Sequence, residues 1–122
     1  MLLVDTSVWS DHLRRHDAGM ARLLEAGEVL AHPFVTGEIA CGVFQRRPET
    51  LALLNRLPSA PLIGQAEVLG FIERNDLAGR GIGFVDIHLL ASARVAGARV
   101  WTRDKRLSDA AERLGVAARP SH

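Results

Sequence analysis

Apolar residues in this chain follow two rhythms: short unbroken runs, and longer stretches in which they recur every three or four positions. The first rhythm predicts strands buried on both faces, the second amphipathic helices. Leu2-Leu3-Val4 is a run of the first kind, ended by Asp5. Thr6 or Ser7 is placed to cap a helix that carries Val8, Trp9, His12 and Leu13 on one side. Asp17 opens a second short helix with Met20, Leu23 and Leu24 inward and Gly27 as its stop. Residues 28–32 form a second strand centred on Val29 and Leu30. Pro33 suits a helix start, and Val35, Ile39, Gly42 and Val43 line one stripe through residues 34–45, with Glu38 on its flank. Arg46-Arg47-Pro48 interrupts the pattern, and a helix from Pro48 places Leu51, Leu54 and Leu57 at burial spacing.

Pro58-Ser59-Ala60-Pro61 is a connector, and Leu62-Ile63 is either a strand or an extended link. Residues 65–75 are helical, with Val68, Leu69 and Ile72 inward. Gly79, Gly81 and Gly83 punctuate a turn-rich stretch before a helix over 84–96, which shows Val85, Leu89 and Ala93 on one face and stops at Gly97. Residues 98–102 form a strand, Arg103-Asp104-Lys105 the loop at its carboxyl end, and 107–114 a helix ended by Gly115. A last strand fits at Val116 to Arg119. Strands alternating with helices imply right-handed crossovers and an α/β fold with a mainly parallel sheet covered on both faces. Sites in such folds form at the carboxyl ends of strands, where Asp5 and Asp104 stand.

Length and composition narrow the class without naming a function. A chain of 122 residues is one domain, here taken as 1–122, and buries roughly two thirds of its unfolded surface. The 48% hydrophobic content supplies a core without metal or disulfide support. Cys41 is the only cysteine, so no internal disulfide forms; it is expected to be an inert core residue in a reducing compartment. The start Met1-Leu2-Leu3-Val4 lacks the basic region and long apolar run of a signal peptide, and no stretch is long enough to span a membrane. The expectation is a soluble cytoplasmic protein. Net charge is +1, and of the 15 cations only Lys105 is not arginine. If Asp5, Glu38, Asp86 and Asp104 share a pocket, ten other acids face 15 cations, which suits a polyanion gripped by its backbone.

Those four acids carry the candidate chemistry. Asp5 ends an apolar strand, Asp104 follows another, Asp86 lies in the first turn of a helix and Glu38 inside one. Each alone has an ordinary explanation: a capping cluster, the helix dipole, helix propensity and a solvated loop, respectively. Together they need a reason, because at ~4 Å and an effective dielectric near 20 each pair repels by about 4 kcal/mol. Hard divalent cations with a preference for oxygen relieve that repulsion. His12, His16, His32, His88 and His122 form no zinc pattern, and one cysteine excludes a thiolate site. His88 reads as a packing or surface histidine, and Trp9 and Trp101 as core. Gly79-Arg80-Gly81-Ile82-Gly83 lacks the spacing of a nucleotide loop and reads as a flexible lead-in to the Asp86 helix.

Four segments carry a family resemblance. Val4-Asp5-Thr6-Ser7-Val8-Trp9 resembles the opening of PIN domains, especially VapC-type toxins of bacterial toxin–antitoxin pairs. Phe34-Val35-Thr36-Gly37-Glu38-Ile39 is similar to the segment that bears the family's glutamate. Residues 81–93, around Asp86, and Trp101-Thr102-Arg103-Asp104-Lys105-Arg106-Leu107 resemble its third and fourth acidic motifs, in the family's order. The resemblance implies a three-layer α/β/α sandwich and a Mg²⁺- or Mn²⁺-dependent endoribonuclease with Asp5, Glu38, Asp86 and Asp104 as ligands. It implies support from Thr6, which would hold a water or a phosphate, and from Thr102, which would orient the Asp104 carboxylate. RNA is the implied substrate and a cognate antitoxin the implied partner. A homodimer is expected too, with the leucine-rich helix around Leu51–Leu57 one candidate surface. Arg103, Lys105 and Arg106 flank Asp104 and are candidate RNA contacts. Asp109 is expected to face solvent rather than join the ligands. Two other readings compete: an aspartate-based phosphatase or phosphotransfer domain, and a non-catalytic PIN-like RNA-binding module. Position 7 is Ser7 where a dehalogenase-like phosphatase wants a second aspartate, and all four acidic positions are filled, unlike a decayed site.

Overall fold

Strand β1 (Leu2–Val4) lies between β2 (Val29–Leu30) and β3 (Arg99–Trp101), parallel to both. The register pairs Leu3 with Leu30 on one side and with Val100 on the other. The computed structural model describes residues 1–118. Isolated parallel bridges, Ala31 with Ser59 and Val100 with Ala117, extend the sheet by one pair at each edge. The last strand expected at Val116 to Arg119 is thus a single bridge at Ala117; Arg119 and His122 lie outside the described residues. Leu62-Ile63 is unpaired, and the connector's Ser59 takes the edge position instead.

Parallel neighbours require crossovers, and the helices supply them. They are α1 (Thr6–Arg14), α2 (Ala18–Glu25), α3 (Pro33–Ala40), α4 (Arg47–Arg56), α5 (Gln65–Arg74), α6 (Phe84–Ala96) and α7 (Lys105–Arg113). α6 is the most enclosed, with every side chain from Ile87 to Ala93 buried, as befits a helix inside rather than on a molecule. Leu3 and Val4 pack with Val8, Trp9, Val35, Leu89, Leu90 and Leu107 in one core. The α/β class with a parallel sheet is as expected. The leucines of α4 turn inward, Leu54 fully and Leu51 and Leu57 partly. No described helix is long and apolar enough to cross a membrane.

Several local expectations fail. α3 ends at Ala40 rather than running to residue 45, because the Arg47 guanidinium donates to the carbonyls of Ala40 (2.6 Å) and Gly42 (3.1 Å) and so caps the helix end. Cys41 is therefore exposed, not in the core, and Val43 is 99% exposed. In α5 the buried pair is Val68 and Phe71, while Leu69 faces outward. α1 is capped by Asp5 itself, and α7 starts at Lys105 because the Asp104 side chain accepts from Leu107 N and caps it.

His32 fixes the junction between sheet and helices. Its Nδ1 accepts from Phe34 N at 3.0 Å, capping α3, and its Nε2 lies 3.1 Å from Ser92 Oγ. Ser92 donates to the Pro61 carbonyl at 2.7 Å, so its hydroxyl oxygen is left to accept from His32 Nε2–H. The buried ring is held neutral; burial, then the charge His88 can carry, press its pKa down to about 4.

Candidate active site

Because β1 and β3 are adjacent and parallel, their carboxyl ends deliver Asp5 and the segment 102–104 side by side; Asp5 N donates to Trp101 O at 2.9 Å. Asp5 is only 6% exposed, and three donors point at its carboxylate. Thr6 N donates to Oδ1 at 2.7 Å, and Ser7 Oγ and Thr102 Oγ1 donate to Oδ2 at 2.9 and 2.6 Å. Thr102 therefore orients Asp5; toward Asp104 it acts only as acceptor for the backbone N–H, at 3.0 Å. Asp104 uses one oxygen, Oδ1, to cap α7 through Leu107 N at 3.1 Å. Glu38, exposed on α3, accepts from Thr6 Oγ1 at 2.8 Å, which ties α1 to α3 beside Asp5.

Asp86 completes the group from the first turn of α6. Burial first, and then the charges of Asp5, Asp104 and Glu38, push its carboxyl up to about 6. The other three sequence-predicted acids, from β1, α3 and the loop after β3, are thus within electrostatic reach of Asp86 on α6. They are not drawn into a ready cage: among the described residues no three Asp, Glu, His or Cys side chains stand close enough to hold one ion. Asp5, Glu38 and Asp104 are instead each held by hydrogen bonds to their own neighbours.

The flanking cations are engaged elsewhere. Arg103 pairs with Asp11 and Asp17, and Lys105 with Asp109 at 2.9 Å on the exposed face of α7. Arg106 packs over the Gly81 backbone, its guanidinium within 2.8 Å of where a Cβ would stand. His88 is buried edge-on against the rings of Phe34 and Phe84 and serves packing. Trp9 and Trp101 are buried, as expected. Ser7 and the pair Asp11 and Asp17 were not anticipated; the only sequence signal for Ser7 was a hydroxyl two residues after Asp5. An open groove of about 340 Å³ lined by Thr6, Leu13, Glu38, Ile39 and Phe44 adjoins the cluster on the Glu38 side.

A family model for the PIN domain matches residues 2–113. The chain belongs to the PIN-domain family. Two curated relatives are similar over nearly their whole length: Ribonuclease VapC32 of Mycobacterium tuberculosis strain CDC 1551 / Oshkosh and of strain ATCC 25618 / H37Rv. Each is 49% identical over 118 residues, which are 96% of this chain and 95% of the relative. For a PIN domain the acidic cluster is the natural place to seek chemistry, and its donors are all carboxylates, with no lysine or arginine among them to cancel the charge. That donor set fits a hard divalent cation.

Proposed function

We propose that this chain is a Mg²⁺- or Mn²⁺-dependent endoribonuclease, the toxin of a toxin–antitoxin pair, with Asp5, Glu38, Asp86 and Asp104 holding the metal. Asp86 carries the reading: a half-buried carboxyl facing three other acids is an electrostatic deficit that a cation would fill. The RNA assignment draws on the likeness to proteins named as ribonucleases. The chemistry such a cation supplies when bound is a water acidic enough to attack, and positive charge beside the phosphodiester.

The chain's own residues do the positioning. Asp5 is locked by three donors, so one orientation of its carboxylate is set before any ligand arrives. Thr6 donates its backbone N–H to the Asp5 carboxylate and its hydroxyl to Glu38, and so ties α1 to α3 at the cleft. Asp86 takes up a proton near pH 6 while the acids stand uncompensated. The remaining surface carries the excess of arginine that suits an RNA backbone. The family resemblance further supports a cognate antitoxin and a homodimer, which light-scattering chromatography of the chain, alone and co-expressed with its neighbouring antitoxin candidate, would test by mass.

The test is incubation of pure protein with structured RNAs, with and without Mg²⁺ or Mn²⁺, beside Asp5→Asn. Cleavage is expected only from the wild-type chain and only with metal. Undiminished, metal-independent cleavage by Asp5→Asn overturns the proposal.

A further inference from the structure

Arg103 follows β3 and precedes Asp104, the position from which a cation would grip RNA, yet its guanidinium points away from the acids. Nη1 donates to Asp11 Oδ2 on α1 at 2.5 Å and Nη2 to Asp17 Oδ2 at the start of α2 at 2.8 Å. Both acceptors are themselves held: Asp11 Oδ1 takes Arg14 Nη2 at 2.6 Å, and Asp17 Oδ1 caps α2 through Met20 N at 2.9 Å. The guanidinium also lies 5.7 Å from the centre of the buried Trp101 ring. At the other end of the residue, Arg103 N donates to Ser7 Oγ at 3.0 Å, and that hydroxyl donates to Asp5 Oδ2.

We propose that Arg103 is a positioning residue, whose two-acid anchorage sets the loop carrying Thr102 and Asp104 against Asp5, rather than a contact to RNA. The proposal rests on the metal-nuclease reading above. Only three residues separate Trp101 from the start of α7, so drift of Arg103 displaces Thr102 and Asp104 with it. Thr102 and Ser7 supply two of the three donors on Asp5, and both touch this loop. One planar fork reaching two carboxylates on two helices is a task a lysine ammonium does poorly. The side chain is 36% exposed, so the ion pairs add little stability; what they fix is place. Lys105 differs, since its bond to Asp109 is an exposed pair within one helix that exchanges freely.

Arg103→Ala and the double variant Asp11→Asn/Asp17→Asn separate the alternatives. The double variant keeps the α2 cap, because asparagine caps as well as aspartate, and it leaves the arginine in place but unanchored. A positioning role predicts that both weaken Mn²⁺ binding to the RNA-free protein, read by calorimetry, by about tenfold. Both also lower kcat while KM for RNA stays within about twofold, and Arg103→Lys falls between them and wild type. Circular dichroism and melting confirm the fold; if Arg103→Ala does not fold, the double variant decides alone. An RNA-contact role predicts the reverse: KM raised by Arg103→Ala, KM lowered by the double variant that frees the cation, and Mn²⁺ affinity unchanged in both. That pattern overturns the proposal. Wild-type protein that binds no Mn²⁺ overturns the metal reading, and the positioning role with it, and is distinguishable because it appears before any variant is made.

Discussion

Thr102 Oγ1 lies 2.6 Å from Asp5 Oδ2, although 97 positions separate the two residues. The bond exists because β1 and β3 run parallel side by side and end level, so that a hydroxyl leaving one strand meets a carboxylate leaving the other. The same hydroxyl accepts from Asp104 N, which makes Thr102 the hinge between the first and last acids of the cluster.

Removing that hydroxyl is expected to harm metal binding more than folding. Thr102→Val keeps shape and strand propensity but takes one of three donors from Asp5 and leaves Asp104 N without its acceptor. The loss of stability is about 1–2 kcal/mol, while Mn²⁺ affinity falls about tenfold. Thr102→Ser restores most of it. Calorimetric titration beside thermal melts checks the split, and equal Mn²⁺ affinity in the valine variant would show that Asp5 does not need the bond.

Asp86 makes a pH-dependent prediction in metal-free protein. Its carboxyl titrates at about 6 in the fold against 3.8 as a free side chain. Above pH 6 it is ionised both folded and unfolded, and the folded state bears the whole cost of burial and repulsion. As pH falls through 6 the folded state takes up a proton that the unfolded chain does not, so the cost is relieved, fully below about 4. Asp86→Asn is therefore expected to melt higher than wild type in EDTA at pH 8, with the gap closing between pH 6 and 4. Mn²⁺ competes with the same proton, so wild-type affinity declines below pH 6. A variant that melts lower at pH 8 contradicts this.

The elements legible in the sequence were those whose limits are local. The bounds of α6 follow from Gly83 before it and Gly97, at φ 65°, after it; β1 follows from three apolar residues closed by an aspartate. The four acids were found through motif likeness, and the topology places them within reach of Asp86. What stayed hidden depends on partners remote in sequence. The end of α3 is set by Arg47 from the next helix, and no pattern within 34–45 announces that. Leu69 and Phe71 are both apolar, and only the packing of α5 on α6 picks between them. The roles of Ser7 and Arg103 exist only once the ends of β1 and β3 meet, 96 positions apart.

The exposure of Cys41 gives the cheapest check on the α3 terminus. A thiol-reactive dye is expected to label one thiol per chain in the native protein, at a rate close to that in denaturant. Labelling should leave the melting temperature almost unchanged, since Cys41 is exposed at the C-cap of the helix. Labelling only after unfolding would return Cys41 to the core and extend α3.

His32 sets the opposite acid response to Asp86. Its pKa of about 4 in the fold lies below the 6.5 of a free imidazole, so between these values the unfolded chain binds the proton first. Stability from this residue is full above pH 6.5 and is lost as pH falls toward 4. Burial is the main cause and the charge His88 can carry the next; the geometry agrees, since Nδ1 accepts from Phe34 N and a protonated ring would set two donors face to face. His32→Asn keeps an acceptor for the α3 cap, cannot titrate, and is too short to reach Ser92. It is expected to cost about 2 kcal/mol at pH 7.5 and to flatten the loss of stability between pH 6.5 and 4. The slope shrinks without vanishing, because burial also lowers His12 and His88. Measured on an Asp86→Asn background, where the opposing carboxyl is gone, urea midpoints across that range isolate the imidazole. An unchanged slope in the double variant would mean that His32 carries its proton inside the fold and that Nδ1 does not accept from Phe34 N.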